Sequence, residues 1–586
     1  MLRRTPSSFA PVLMLVTLSL GGCQAYIART VLPRNGIRPP GHGVHIERNV
    51  AFRTTDGTSL VADVYHPRES ISTPTVLVRI PVTRSFKNNL GTDALGRFWA
   101  SRGYTVVMQG TRGRGKSGGS SYPLVNERRD GLETLQWLRH QPWFDGRLGM
   151  WGGSAFGHTQ WVVADQGAQG PTALMIQIAS TSFREMFHPG GAFSLESALF
   201  WAVRSRGARD DVPEVDVLER GVDGFPLLEA DDRAVGDIPM FNDWAAHTEA
   251  DPYWTAIDGV DRARTLTAPV LLMAGWSDPF LPTQLRDFEA IRREAEPRVA
   301  AQTRLVVGPW THAGSMRFPD GSTGVEYRRA SVASSIAWFD HHLLGRPLEA
   351  SLTPPVRLYV MGEGIWRDEG EWPLARTQYV SYYLSSQGHA NSVSGDGQLL
   401  PYEPARREPP DSFTYDPQRP VPSRGGAMLG PRAGMQLQTD VEARPDVLVY
   451  STEPLEKDVE VTGPVSVFLS VTTTAANTDF TAKLVDVHAD GTAFNVSDGI
   501  LRRSYSGAQA ASTPVEVAIE LWPTSMLFRR GHRVRLEVSS SNYPRYDRNP
   551  NTGTSVATER RPVPATQTVH HGGAWPSRIV LPMIPR

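Results

Sequence analysis

The chain has 586 residues, more than one hydrophobic core accommodates, so two or three domains are expected. Lys plus Arg (60) nearly balances Asp plus Glu (61), a formal net charge of -1, which leaves no basic stripe for a phosphate backbone and argues against nucleic acid as a partner. A single cysteine rules out an intrachain disulfide and a cysteine-based metal site.

That cysteine is Cys23. Arg3 and Arg4 precede "FAPVLMLVTLSL" (residues 9–20), an apolar run too short to span a bilayer comfortably, and "LGGC" (20–23) follows at once. Small residues before a cysteine at this place resemble a bacterial lipobox. The expectation is a lipoprotein signal peptide over 1–22, lipidation of Cys23, and a polar tether rich in Arg, Pro and Gly over 23–43. An ordinary cleaved signal peptide is the alternative. Gln24 stands where an acidic residue would argue for inner-membrane retention. The expected location is therefore the cell envelope, facing the periplasm, at the outer membrane.

From about Val44 strand, loop and helix patterns alternate. "TVLVRI" (75–80), "YTVVMQ" (104–109), "RLGMWG" (147–152), "TALMIQIA" (172–179), "PVLLMAGW" (269–276) and "TRLVVGPW" (303–310) are short apolar runs of the buried-strand type. "RRDGLETLQWLRHQ" (128–141) carries Leu132, Leu135 and Leu138 at helical spacing. Strands alternating with helices predict a parallel sheet covered on both faces. The long stretch between the fourth and fifth runs lacks strand signals. "SLESALFWAVRSR" (194–206) within it predicts helices of an inserted cap over about 183–262. "SIAWFDHHLLG" (335–345) predicts a closing helix ended by glycine. From about Val356 the pattern turns to short alternating runs, beginning with "VRLYVMG" (356–362), which predict an all-β sandwich or jelly roll.

"GTRGRGKS" (110–117) fits the phosphate-loop pattern of nucleotide hydrolases. That chemistry needs a helix opening at Lys116 and Ser117, and "GGSSYP" follows instead. An irregular loop is the better reading.

"GMWGGSAFGHTQW" (149–161) poses the functional question. An apolar strand runs into Ser154, and Gly152, Gly153 and Gly157 give the room that a nucleophile elbow needs. The spacing is G-x-S-x-x-G rather than G-x-S-x-G. Asp278 follows the fifth strand run and His312 the sixth, in the chain order Ser, acid, His of an α/β-hydrolase. Ligands of open parallel sheets gather at these carboxyl ends. His312 as base, Ser154 as nucleophile and Asp278 as orienting carboxylate would perform acyl transfer, with the Ala155 amide as one oxyanion donor.

These stretches, with "AGWSDPF", "VVGPWTH", "WFDHHLLG", "QGTRGRGKSGG" and "SSSNYPRYDRNPNTG", resemble the cocaine esterase and X-prolyl dipeptidyl-peptidase group. The resemblance implies an α/β-hydrolase domain over 44–348 with an inserted helical cap, followed by an all-β jelly-roll C-terminal domain over 349–586. It places "GTRGRGKS" on a loop of that family. It also implies a tyrosine after the proline of R-x-P-Y, whose hydroxyl completes the oxyanion hole. Here the stretch is "VRIPVTRS", with Val82 at that place. A backbone amide of Val82 or Thr83, or the Thr83 hydroxyl, would have to substitute. Gly110 stands where the family loop often has Asp.

The expected function is a serine hydrolase cleaving carboxylic esters or amides through an acyl-enzyme, with no cofactor and no metal. An X-Pro dipeptidyl-peptidase is the alternative within the class, and a catalytically inert lipid-anchored binding protein the alternative outside it. A peptidase needs carboxylates for the substrate ammonium, and Asp210, Asp211, Glu214 and Asp216 offer them, although a solvated acidic loop is the plainer reading. Phe187, Phe193, Phe200 and Trp201 could line an acyl pocket or form the core between cap and sheet. The pairs His341-His342 and His570-His571 fit no zinc spacing and read as surface or helix-end residues.

Overall fold

A computed structural model describes residues 37–68, 70–82, 86–206, 215–312, 314–505 and 513–586. Cys23 and the expected signal segment lie outside the described residues, as do Thr83, Asp210, Asp211 and Glu214. Among the described residues no helix is long and apolar enough to cross a membrane.

The first sheet is built from β1 (Val44–Arg53), β2 (Ser59–Pro67), β3 (Thr73–Ile80), β4 (Thr105–Gly110), β5 (Phe144–Gly153), β6 (Ala173–Gln177), β7 (Val270–Ser277), β8 (Arg304–Thr311), β9 (Gly314–Ser315), β10 (Val356–Val360) and β11 (Ile365–Glu369). Their spatial order is β1-β2-β4-β3-β5-β6-β7-β8-β10-β11, with β9 beside β8. β3 to β8 and β10 are mutually parallel; β1, β2 and β11 add antiparallel edges. β3, β4, β6 and β7 are buried along their whole length, which is why their sequences read as continuous apolar runs rather than alternations.

Helices cover both faces. They are α1 (Phe86–Ala100), α2 (Glu127–Arg139), α3 (Ala155–Trp161), the cap helices α4 (Phe183–Phe187), α5 (Leu195–Ser205), α6 (Val215–Val222), α7 (Ala230–Ala234), α8 (Pro239–Ala246) and α9 (Pro252–Ile257), then α10 (Leu281–Glu294), α11 (Pro297–Gln302) and α12 (Tyr327–Leu344). α12 ends on Gly345 at φ +68°, a left-handed cap that its sequence predicts. The cap has its own aromatic core, in which Phe187, Phe193, Phe200, Trp244 and Trp254 are buried.

One predicted strand lies elsewhere than its pattern suggests. "VRLYVMG" reads as the start of the all-β domain, yet β10 pairs in parallel with β8 and extends the first sheet. α12 supplies the crossover helix that a parallel neighbour requires. Alternation in a short strand does not say which sheet receives it.

The remaining strands form a second sheet, and among the described residues this part is all-β apart from one short helix (Thr439–Glu442). After the shorter β12 (Gln378–Ser385), β13 (Gln398–Leu400), β14 (Asp411–Tyr415) and β15 (Leu448–Ser451) come its long members, β16 (Val459–Thr473), β17 (Asn477–Val487), β18 (Ala493–Ser504) and β19 (Val515–Phe528), with β20 (Arg533–Ser539) beside β17. The chain therefore has a mixed α/β N-terminal part, a helical insertion and an all-β C-terminal part.

Candidate active site

Ser154 sits between β5 and α3 with φ +57° and ψ −131°, a combination that costs an L-residue about 1–3 kcal/mol. Its amide donates to the Gln177 carbonyl of β6 at 2.9 Å, which holds the strained turn against the sheet. The glycines are steric necessities. A Cβ on Gly152 would lie 2.4 Å from the Phe156 Cβ, and one on Gly157 would lie 2.6 Å from the Ala179 Cβ. The elbow closes despite the extra residue in its spacing.

The sheet brings together the three residues its strand ends carry. The Ser154 hydroxyl lies 2.9 Å from His312 Nε2, and His312 Nδ1 lies 2.7 Å from Asp278 Oδ2. The chemistry fixes the tautomer: Nδ1–H donates to the carboxylate, and Nε2 accepts from the hydroxyl. Asp278 is fully buried, and its other oxygen accepts the Phe280 amide at 2.8 Å. Both carboxylate oxygens are thus engaged, which fixes its orientation. His312 keeps about 14% of its side chain exposed, so the middle of this hydrogen-bonded chain meets solvent while Asp278 does not.

The Ala155 amide opens α3 beside Ser154 and has no acceptor four residues back within the helix. Val82 follows β3 and is half-buried against the aromatic and aliphatic cluster on that face of the sheet. Thr83, the other candidate for the oxyanion hole, lies outside the described residues.

An aromatic wall reaches the site from the cap. The Phe280 ring lies 5.7 Å from the His312 ring and 5.1 Å from Phe183; Phe183 contacts Trp201 at 5.7 Å. Of the four expected aromatics, Trp201 contacts Phe183 directly, and Phe187 packs behind the wall, 6.5 Å from Phe183 and 5.9 Å from Trp201; Phe193 and Phe200 are buried in the same cluster. Phe280 was visible in "AGWSDPF", two residues after the acid. Phe183 and Trp522 had no local signal. Trp522 comes from β19 of the second sheet, and its indole N–H donates to the Asp278 carbonyl at 3.1 Å.

Buried carboxylates pin the base of the cap. Both Asp287 oxygens accept from Thr181, at 2.9 Å from its amide and 2.6 Å from its hydroxyl. Burial pushes Asp287 up to about 7. Asp258 accepts from the Ser182 hydroxyl and the Phe183 amide, and burial pushes it up to about 6.

Other expected residues fall outside the site. Asp216 is exposed and pairs with Arg220 one turn on. The loop after β4 folds back on itself, with the Ser117 hydroxyl donating to the Gly110 carbonyl at 2.7 Å and no helix at Lys116. Gly110 has a steric reason: a Cβ there would lie 2.5 Å from the Arg114 carbonyl oxygen. The histidine pairs need correction. His341 and His342 are half-buried at a helix end, but His571 is buried between Asp411 (2.9 Å) and Glu408 (3.1 Å). A strand pattern that buries both faces gives no warning of such an internal polar network.

The model of the X-Pro dipeptidyl-peptidase S15 family matches residues 56–314, and that of the X-Pro dipeptidyl-peptidase C-terminal non-catalytic domain matches residues 349–580. The cocaine esterase of Rhodococcus sp. (strain MB1 Bresler) is 37% identical over 574 residues, covering 92% of this chain and 99% of that protein. Two solved structures share the fold. An aminopeptidase from the marine sediment archaeon Thaumarchaeota archaeon matches with a TM-score of 0.76 at 23% identity, over 94% of this chain and 99% of that one. An alpha-amino acid ester hydrolase matches with a TM-score of 0.74 at 22% identity, over 94% and 98%. With 37% identity sustained over 92% of its length, the chain belongs to the cocaine esterase and X-Pro dipeptidyl-peptidase family of α/β-hydrolases, and it is a serine hydrolase.

Proposed function

We propose that the protein is a carboxylic ester hydrolase with Ser154 as nucleophile, His312 as general acid–base and Asp278 as the carboxylate that orients it. The observation that carries this reading is the continuous chain from Ser154 through His312 to the buried Asp278. His312 Nε2 takes the hydroxyl proton as Oγ attacks the substrate carbonyl. The tetrahedral oxyanion accepts from the Ala155 amide and from a second donor beside Val82, at its own amide or at Thr83. His312 returns the proton to the leaving alcohol, and water then repeats the sequence on the acyl-enzyme.

The wall of Phe280, Phe183 and Trp201 favours an apolar or aromatic acyl or alkoxy group. The 37% identity to a protein named cocaine esterase supports an ester substrate. A dipeptidyl-peptidase would need a carboxylate free to hold an ammonium. Asp216 is at the surface on Arg220, and Asp258 and Asp287 are committed to backbone and hydroxyl donors. Parallel assays on p-nitrophenyl benzoate, p-nitrophenyl butyrate and Gly-Pro-p-nitroanilide test the reading. Ester turnover far above anilide turnover is expected; the reverse order would refute it.

We also propose lipidation of Cys23 and an envelope location, on the sequence of the first 23 residues. Cys23→Ala should release the protein from membranes into the soluble fraction, and an unchanged membrane fraction would refute the anchor.

A further inference from the structure

A second group of reactive side chains sits far along the chain from Ser154, where β17 turns into β18. Asp486 is the penultimate residue of β17, and His488 follows the strand by one residue. Residues two apart on a strand point to the same face. β20 runs antiparallel to β17, with Asp486 opposite Val534 and Val487 opposite Arg533. Extending that register by one residue sets His532 opposite His488. The topology therefore gathers two imidazoles and a carboxylate on one patch, although Asp486 and His532 are 46 residues apart in sequence.

The distances suit one shared ligand. His532 Nδ1 lies 2.9 Å from Asp486 Oδ1, His488 Nε2 lies 3.5 Å from Asp486 Oδ2, and the donor atoms of all three lie within 4.8 Å of one another. Nitrogen and oxygen ligands about 2.0–2.2 Å from a tetrahedral ion stand roughly 3.3–3.5 Å apart. The two imidazole rings stack at 4.6 Å and 28°, and Phe494 on β18 backs His488 at 5.1 Å. Such support holds ligand rings in place before an ion arrives. Asp486 is buried, whereas His488 and His532 remain partly exposed, so an ion can enter from solvent.

We propose that Asp486, His488 and His532 form a site for a divalent first-row transition ion, tested as zinc, that ties the β17–β18 turn to β20. Two imidazoles and one carboxylate leave a coordination position for water and select zinc over the hard ions calcium and magnesium. His532 donates its Nδ1 proton to Asp486 in the ion-free form. Binding at Nδ1 moves that proton to Nε2 of the same ring, so the ion takes the place of the hydrogen bond to Asp486.

The test is zinc titration of the full-length, metal-stripped protein against a chromophoric chelator, with His488→Asn and His532→Asn variants beside it. One zinc per chain is expected, bound about 100-fold or more weakly in either variant. Zinc should raise the unfolding temperature of the native chain and leave that of the variants unmoved. Both residues lie outside the ester-cleaving machinery, so p-nitrophenyl ester turnover checks that the variants fold. Cobalt substituted into the native chain reads the ligand set without any variant, through its visible absorption. Zinc bound as tightly by the variants as by the native chain would overturn the proposal, and so would a native chain that takes up no zinc.

Discussion

The indole of Trp522 reaches across the domain contact to the residue that orients the proposed base, which makes it a test of whether the second sheet serves the reaction. The Asp278 carbonyl accepts from Trp522 at 3.1 Å and from the Leu281 amide at 3.2 Å, so removing the indole donor leaves it bonded once. Trp522→Phe keeps an aromatic ring beneath the Arg545 guanidinium, which lies 4.8 Å above it. The loss is then one neutral hydrogen bond, about 1 kcal/mol. If that acts on the aim of Asp278, turnover falls roughly fivefold. Trp522→Ala also deletes a buried indole at the contact, and truncations of that size cost about 3–5 kcal/mol. The assay is kcat and KM on a p-nitrophenyl ester, paired with thermal unfolding of each variant. The Phe variant should lose kcat with KM held and the unfolding temperature little moved; the Ala variant should lose both activity and stability. A Phe variant with native kcat, beside an Ala variant with native stability, would refute the reasoning.

Gly157→Ala should destabilise the protein, although alanine is worth about 1 kcal/mol more than glycine in an ordinary helix. The new methyl lies 2.6 Å from the Ala179 Cβ, and overpacking of that kind costs about 1–3 kcal/mol; a higher midpoint in a urea titration would contradict this. Asp287→Asn should flatten the fall of stability with pH. Burial raises this carboxyl from 3.8 to about 7 in the fold, so its neutral form favours folding below pH 4 and that stability is lost as pH rises towards 7. Unfolding temperatures between pH 4 and 8 check it, and an identical slope in the Asn variant would count against it. Val82→Tyr should lower turnover of activated esters, because valine packs half-buried against the sheet and tyrosine must displace its neighbours. A rise approaching the roughly 100- to 1,000-fold of one oxyanion donor would show instead that the hole is a donor short.

Much of the site could be read from sequence because an open parallel sheet converts chain order into position. Ser154, Asp278 and His312 each follow an apolar run, and parallel strands put their carboxyl ends along one edge. The glycines flanking Ser154 announced a tight turn, and the structure shows which atoms they make room for. What could not be read depends on contacts between distant segments. β10 carries the same pattern whether it joins one sheet or the other, and its neighbour β8 is decided by the crossover helix. Trp522 lies 244 residues from the carbonyl it bonds. His571 and the Asp486, His488 and His532 patch arise from strand register, which no local spacing records. The cap aromatics were visible as a group, but only the fold shows that Trp201 and Phe187 meet Phe183 at the wall.

The central claim is that Ser154 is the nucleophile of an acyl-transfer site. The most direct measurement is to treat the native protein and its Ser154→Ala variant with a fluorophosphonate and locate the adduct by peptide mass spectrometry. The account predicts one phosphonylated serine, at Ser154, with ester turnover lost in step with labelling and no adduct in the variant. An adduct on another residue, or undiminished turnover in Ser154→Ala, would contradict it.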